Sequence, residues 1–425
     1  MHPVRKLIFF VLILALAACG PAGAGKLVQS DKPRDPQPQV DDADLAALVR
    51  GDNAFAFDLY RQASGGDGNL FFSPYSISTA LAMTYAGARG DTAAQMAAAL
   101  HYALAQAALH PAFNRLALTL DSRAQAPGLP AGKAFTLHTA NALWGQDGFP
   151  FQSDFLDLLA QNYGAGMHLL NFKSDPEAAR QTINDWVSQE TEKRITDIVP
   201  SGAIDPLTRL VLANAIYFKA DWASEFEKIA TADGDFTLLD GSRVSVPFMF
   251  QEGSFRYTEG DGLQALELPY SGGDLSMLVI LPQPGSFDAV QSALSAGELD
   301  SLVAGLDYQY AQVWLPKFHF DYSLDLNAHL QALGMSDAFD PDAADFSGMD
   351  GRRDLYIGSV LHKAYVAVDE AGTEAAAASA VVVQAASAPV GSPIVFRADR
   401  PFLFAIRDNP TGTILFLGRV MDPAQ

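Results

Sequence analysis

The chain has 425 residues, with 28 Lys and Arg set against 49 Asp and Glu, for a formal net charge of −21 at pH 7. No segment concentrates enough Lys or Arg to follow a phosphate backbone, so nucleic acid is excluded as a partner. With 49% hydrophobic and 18% charged residues, the chain can bury a sizeable core, in one large domain or two to three ordinary ones.

The N-terminus carries Arg5 and Lys6, an apolar run from Leu7 to Leu16, and small residues up to Cys19. That run is too short to span a bilayer as a helix and has the flanks of a secretory signal over residues 1–18. Leu16-Ala17-Ala18-Cys19 resembles the bacterial lipobox, in which Cys19 would be lipidated and become the mature N-terminus. An ordinary signal peptide cut near Ala18 is the alternative. The expectation is secretion across the inner membrane and anchorage to a membrane through lipid on Cys19. Gly20 stands where an inner-membrane retention Asp would be, which favours the outer membrane or cell surface. Cys19 is the only cysteine, so no disulfide can form within the chain.

From Gly20 to about Asp42 the residues are mostly Gly, Pro, Gln, Asp and Lys, which predicts a flexible tether over 19–42. Helical spacing begins at Leu45, Leu48, Val49, Phe55 and Leu59, with Asp44 as the expected cap. Further helices are predicted around Ile77 to Tyr85, Thr92 to Leu100, Phe151 to Tyr163 and Ala178 to Glu190. After about Leu207 the texture turns strand-like, at Leu210 to Phe218, Leu263 to Leu268, Leu275 to Leu281, Gln312 to Phe318, Tyr365 to Val368, Phe402 to Ile406 and Ile414 to Val420. Helices first and strands later predict an α+β domain over 43–425.

One connection is overlong. Between the strands at Tyr365 and Ile394 run some two dozen residues rich in Ala and Val, with one charge after Glu370. So long a connection inside a compact domain is functional or disordered, and this composition is odd for disorder.

Catalytic and metal chemistry find little support. The eight histidines are scattered without a metal-ligand spacing, and His101 and His110 lie nine apart in an Ala-rich stretch. A Walker-like spacing from Gly20 to Lys26 lacks the following Ser or Thr and a preceding strand. No Gly-x-Ser-x-Gly elbow occurs. The chain is expected to be no enzyme and to need no cofactor or metal.

The overlong connection and its flanks carry a resemblance. His362-Lys363-Ala364, then Glu370-Ala371-Gly372-Thr373-Glu374-Ala375-Ala376-Ala377-Ala378, is similar to the strand and reactive-loop hinge of the serpins. Asn69 to Ile77 with Ser73 and Ser76, Ile183-Asn184-Asp185-Trp186, Asn214 to Lys219 with Trp222, Leu315 to Phe318, and Arg400-Pro401-Phe402 resemble other serpin blocks in the expected order. The resemblance implies a serpin fold, with three β-sheets, about nine helices and an exposed reactive-centre loop over about 370–393. It implies an irreversible suicide-substrate inhibitor whose cleaved loop inserts into sheet A, in covalent acyl complex with a target serine protease. The alternative is a non-inhibitory serpin acting as a binding or chaperone-like protein; an unrelated α+β surface enzyme comes third.

Further positions follow from the resemblance. Ser73, Ser76, Asn184, Asn214 and His362 match the shutter beneath sheet A, with a bland core histidine as the alternative for His362. Trp222 and Lys317 match the breach, with Lys317 paired to Glu370 and, if exposed, worth about 0 to 1 kcal/mol. The family's spacing puts the scissile bond at Ala386-Ser387, with Ala385, Ala388 and Val390 as alternatives. Small residues there point to an elastase-like or subtilisin-like protease. Arg115 and Arg123 alone do not make a heparin site, and a monomer is expected. Ala220, Arg194 and Ala371 are mild departures from the family's pattern.

An inserting strand must place alternate residues in a packed interior. Counting from Thr373, that face carries Ala375, Ala377, Ser379, Val381 and Val383, none charged, while Glu374 and Gln384 fall on the opposite parity, toward solvent.

Overall fold

The computed structural model describes residues 25–124, 135–373 and 392–425. Cys19 and the signal segment, the hinge residues Glu374 to Ala378, and the scissile candidates Ala385, Ala386, Ser387, Ala388 and Val390 lie outside the described residues. Among the described residues there are ten α-helices and two hydrogen-bonded sheets, in the expected α+β arrangement.

The first sheet runs Lys26–Val28, Met167–Leu170, Thr136–Gln146, Leu210–Asp221, Gly372–Thr373, Ile357–Val368, Phe318–Asp325. Its two long central strands, Leu210–Asp221 and Ile357–Val368, are parallel, with register from Leu210 opposite Ile357 to Tyr217 opposite Tyr365. Almost every residue of Leu210–Asp221 is buried, because both faces of the strand are covered. On one face lies the helix Pro74–Tyr85, itself buried nearly all round. Ser73 caps it, accepting from the Ser76 amide at 3.1 Å, and Pro74 takes the first helical position, where no amide donor is needed.

Across the other face lies the helix Pro176–Glu190. Beneath it the strands present Ala140, Ala142, Ala213 and Ala215, whose small side chains let the helix sit close, with Ile183, Val187 and Leu361 filling the layer.

The second ladder has nine strands, and the 18-residue strand Arg243–Gly260 is its joint. Its earlier residues pair with Ala232–Thr237 and Asp307–Pro316, and its last five pair with Leu263–Pro269. The ladder is therefore two sheets sharing one strand, which with the first sheet makes the expected three.

Three local expectations change. The first helix, Asp42–Ala63, is capped by Asp41, whose carboxylate accepts from the Asp44 amide at 2.7 Å; Asp44 is the capped residue, not the cap. The Ala-rich stretch after His101, outside the predicted helices, forms the helix Gln106–Ala124 with Pro111 inside it. The third concerns the tether. From Lys26 the chain is strapped to the body: Lys26–Val28 pair antiparallel with Met167–Leu170, the Asp35 amide donates to Gln161 O at 2.8 Å, and Arg34 Nε donates to Asn114 Oδ1 at 2.7 Å. Apolar content misses this because the attachment uses backbone pairing and polar side chains rather than buried carbon.

Candidate functional site

The strand Ile357–Val368 ends in a tight turn at Asp369. The Asp369 carboxylate accepts from the amides of Ala371, at 2.9 Å, and Gly372, at 3.3 Å, and its own amide donates to Gly372 O at 2.9 Å. Such an Asp turn reverses the chain within four residues. Gly372 then lies opposite Asp221, and Thr373 is the ladder partner of both Ala220 and Val368. The hinge residues Gly372 and Thr373 thus form the start of a strand wedged between two parallel strands that pair directly with each other farther down.

Only glycine fits at 372. A Cβ there would lie 2.1 Å from Ala220 O and 2.7 Å from the Asp221 Cα, well inside any van der Waals contact. Thr373 is 1% exposed, and its hydroxyl shares a 2.7 Å hydrogen bond with Tyr270 OH. Tyr270 stacks on Trp222, ring centroids 4.6 Å apart, and Trp222 Nε1 donates to Asp369 O at 3.0 Å. Backbone bonds from Trp222 N to Ala371 O and from Phe226 N to Glu370 O, both 2.9 Å, finish the clamp. Trp222 is therefore more than core packing: it holds the turn from which the loop departs.

Glu370 is 5% exposed, with Lys317 Nζ at 2.7 Å from one carboxylate oxygen and Thr231 Oγ1 donating to the other at 2.8 Å. Burial alone would raise its pKa, but the hydrogen bonds from Lys317, its own backbone and Thr231 hold it below the ordinary range. The carboxylate is buried, so the exposed-pair value does not describe it; losing Lys317 would leave a buried charge without its partner.

Lower in the sheet, one polar row crosses three strands. Asn141, Asn214 and His362 are register neighbours, Asn141 opposite Asn214 and Asn214 opposite His362. His362 Nε2 accepts from the Ser73 amide at 3.2 Å, so the proton sits on Nδ1, which donates to Asn214 Oδ1. The Asn214 amide donates to Ser76 O at 3.0 Å, Ser76 Oγ at 2.6 Å and Asn141 Oδ1, and Ser73 Oγ donates to Leu415 O at 2.6 Å. His362 is wholly enclosed, and burial pushes its pKa down to about 3, against a weaker opposing hydrogen bond from the Asn214 region. It is neutral whenever the protein is folded near pH 7.

Asn184 is not part of this row. Its amide donates to Val199 O at 3.1 Å, and its oxygen accepts from the amides of Ile198 and Val199 at 3.0 and 2.8 Å. The helix carrying it covers the opposite face of the sheet from Ser73 and Ser76, so it fastens the segment after that helix instead. The missing member is Asn141, on Thr136–Gln146, a strand whose sequence gave no clear period-two signal. The signal that could have found it is the pairing of one Asn with another on the neighbouring strand.

The described residues contain no group of His, Cys, Asp and Glu able to hold a metal ion. What they do contain is a central sheet with a strand position occupied at one end by two residues and fastened below by a buried polar row. A family model described as serpin (serine protease inhibitor) matches residues 50–423, and the chain belongs to the serpin family. An uncharacterised serpin-like protein of Thermococcus kodakarensis is 44% identical over 378 residues, spanning 88% of this chain and 86% of that one. Leukocyte elastase inhibitor of Equus caballus is 39% identical over 391 residues, spanning 89% of this chain and 100% of that one. The native-state structure of the thermophilic serpin tengpin is similar at a TM-score of 0.81 and 31% identity, covering 93% of this chain and 100% of that one.

Proposed function

We propose that this serpin is an irreversible suicide-substrate inhibitor of elastase-like or subtilisin-like serine proteases. The protease serine attacks the carbonyl before the scissile bond, forming an ester and freeing the amine of the next residue. The freed loop then enters the central sheet faster than water hydrolyses the ester, and the protease is carried along. The scissile bond is Ala386-Ser387, with Ala385, Ala388 and Val390 as the neighbouring choices.

The observation that carries this reading is the double pairing of Thr373 with Ala220 and Val368. Continuing either ladder in register gives the same placement for an entering strand. Counting along Leu210–Asp221, or along Ile357–Val368, the residue that comes level with Asn214 and with His362 is Ser379. Entry must part the His362–Asn214 hydrogen bond, and Ser379 is the only polar residue on that face between Thr373 and the scissile bond at Ala386. Its hydroxyl both donates and accepts, which suits it to satisfy the two groups it separates.

The opposite parity is explained as well. Glu374 would come level with Lys219, and Ala378 and Ala380 level with Ala215 and Ala213, beneath the helix Pro176–Glu190. That part of the face is covered by the helix rather than turned to solvent, and only small residues would pass under it.

Lipid on Cys19 would display the inhibitor at the outer membrane or cell surface. The test is incubation of the chain from Lys26 onward with pancreatic elastase and with subtilisin, followed by a denaturing gel and intact-mass analysis. A covalent complex is expected, with the mass of the released peptide fixing the bond. Rapid loop cleavage with no complex would instead favour a non-inhibitory binding protein.

A further inference from the structure

The strap that stands in place of the expected tether joins the central sheet at one particular end. Lys26 is opposite Leu169, Leu169 opposite Gly145, and Gly145 opposite Leu210, so the four lie in one cross-strand row. Thr373, where the loop leaves, lies beside Ala220, ten residues farther along Leu210–Asp221, or about 33 Å at the rise of a strand. Met167–Leu170 runs toward the Leu210 end and Lys26–Val28 runs antiparallel to it, so the strap climbs from that lower end. Gly25, at its foot, lies against Leu169 and Leu170.

We propose that this lower end of the sheet is a membrane-facing surface, held against the bilayer that carries the lipid on Cys19, with the loop's departure point turned away. The proposal rests on the lipidation reading and not on the inhibitory one. Length argues for that occupant. Six residues separate Cys19 from Gly25, a leash of at most about 21 Å. Without the strap, the 23 residues from Cys19 to Asp42 would reach about 80 Å. A body of this size has a radius of gyration of about 21 Å, so the long leash would let it turn over and the short one does not.

The surface also suits a bilayer. At or within five residues of the lower ends of these four strands stand three basic side chains, Lys26, Lys173 and Arg209, and three acidic ones, Asp147, Asp175 and Asp205. This end is therefore uncharged overall in a chain whose formal charge is −21, and anionic phospholipid repels it less than the rest of the body. Leu27, 46% exposed, and Leu207, 65% exposed, add apolar side chains there. This is the resting orientation: full entry of the loop would bring Ala386 level with Leu207, so complex formation would tip this end off the bilayer while the lipid holds.

The test uses the full-length lipidated chain in vesicles of phosphatidylethanolamine and phosphatidylglycerol with a trace of headgroup-rhodamine lipid. Fluorescein is attached to one introduced thiol, Ser174→Cys at the lower end or Ser224→Cys beyond the Asp221 end, both exposed positions; Cys19 is blocked by its lipid. Energy transfer is expected to be at least threefold more efficient from position 174. Inserting twenty Gly and Ser residues after Gly20, together with Leu27→Ser and Leu207→Ser, should bring the two positions within 1.5-fold of each other. Transfer within 1.5-fold in the parent, or stronger from position 224, would overturn the orientation and leave the anchor standing. A threefold ratio kept by the long-leashed variant would overturn the leash and the two leucines as its cause. A chain that does not float with the vesicles would overturn both the anchor and the orientation, while inhibition by the soluble chain would stand.

Discussion

His362 and Asn214 face each other across the two parallel central strands, with His362 Nδ1 donating to the Asn214 side-chain oxygen at the level where, under the proposed mechanism, an entering strand would pass. The contact both stabilises the closed sheet and obstructs its opening. Replacing either residue by Ala leaves the facing atom of the other, Asn214 Oδ1 or His362 Nδ1–H, buried without that partner, at a cost of about 1–3 kcal/mol. His362→Ala and Asn214→Ala are therefore expected to unfold at lower urea concentration. On mild warming they should convert to a loop-inserted, inactive form sooner than the parent, as read by native gel and residual inhibition.

The same histidine makes the closed sheet sensitive to acid. Its folded pKa of about 3 lies below the ordinary 6.5, so between those values the unfolded chain binds a proton that the folded one refuses. Its contribution is fully present above pH 6.5 and is lost as pH falls toward 3. His110, held down to about 4 by burial, acts in the same direction, so the diagnostic quantity is a difference between proteins. Unfolding titrations should show a shallower loss of stability below pH 6 for His362→Gln than for the parent.

Asp52 predicts the opposite slope. It is 2% exposed, Ser78 Oγ donates to one carboxylate oxygen at 2.7 Å, and the other oxygen has no partner. Burial raises its pKa to about 8, so the folded chain holds a proton that the unfolded chain gives up above about 4. Stability should fall as pH rises from about 4 through 8. Asp52→Asn should flatten that fall and gain on the order of 2 kcal/mol at pH 8, measured by urea unfolding.

Ser379 is expected to matter only after cleavage. Ser379→Val keeps a strand-forming side chain but removes the hydroxyl that would come level with both His362 and Asn214. The cleaved form of this variant should melt several degrees lower than cleaved parent, while the two intact forms melt alike. Calorimetry on cleaved and intact samples separates the outcomes.

The N-terminal strap closes the free edge of the central sheet at Met167–Leu170 and reaches the helices on that side through Asp35 and Arg34. Removing residues up to Gln39 strips the edge pairing and leaves Asn114, which is fully buried, short of Arg34 and of the Asp35 carbonyl it donates to at 2.8 Å. The truncated chain should melt several degrees below the full one, and Arg34→Ala should account for part of that difference.

The sequence made the strands of the central sheet legible where hydrophobic runs were long, as at Leu210 to Phe218, and made the hinge legible through Gly372 and Thr373. It concealed what depends on register. Asn141 looks like any polar residue until the pairing of its strand sets it beside Asn214. Asn184 carries a family-like motif, yet the helix bearing it packs on the other face of the sheet. The strap was hidden because an added edge strand and a few polar contacts leave no apolar period to read. Gly372 shows the converse: a motif position whose reason, the Ala220 carbonyl where a Cβ would stand, only the folded chain reveals.

In the proposed mechanism the loop inhibits by entering the sheet behind Thr373, whose side chain is already buried against Tyr270. An arginine there would drag a charge into that interior. With pancreatic elastase or subtilisin, the parent should give a band stable on a denaturing gel, and Thr373→Arg should be cleaved in the loop at a similar rate and give no such band. A covalent complex formed equally well by Thr373→Arg would contradict insertion as the inhibitory step.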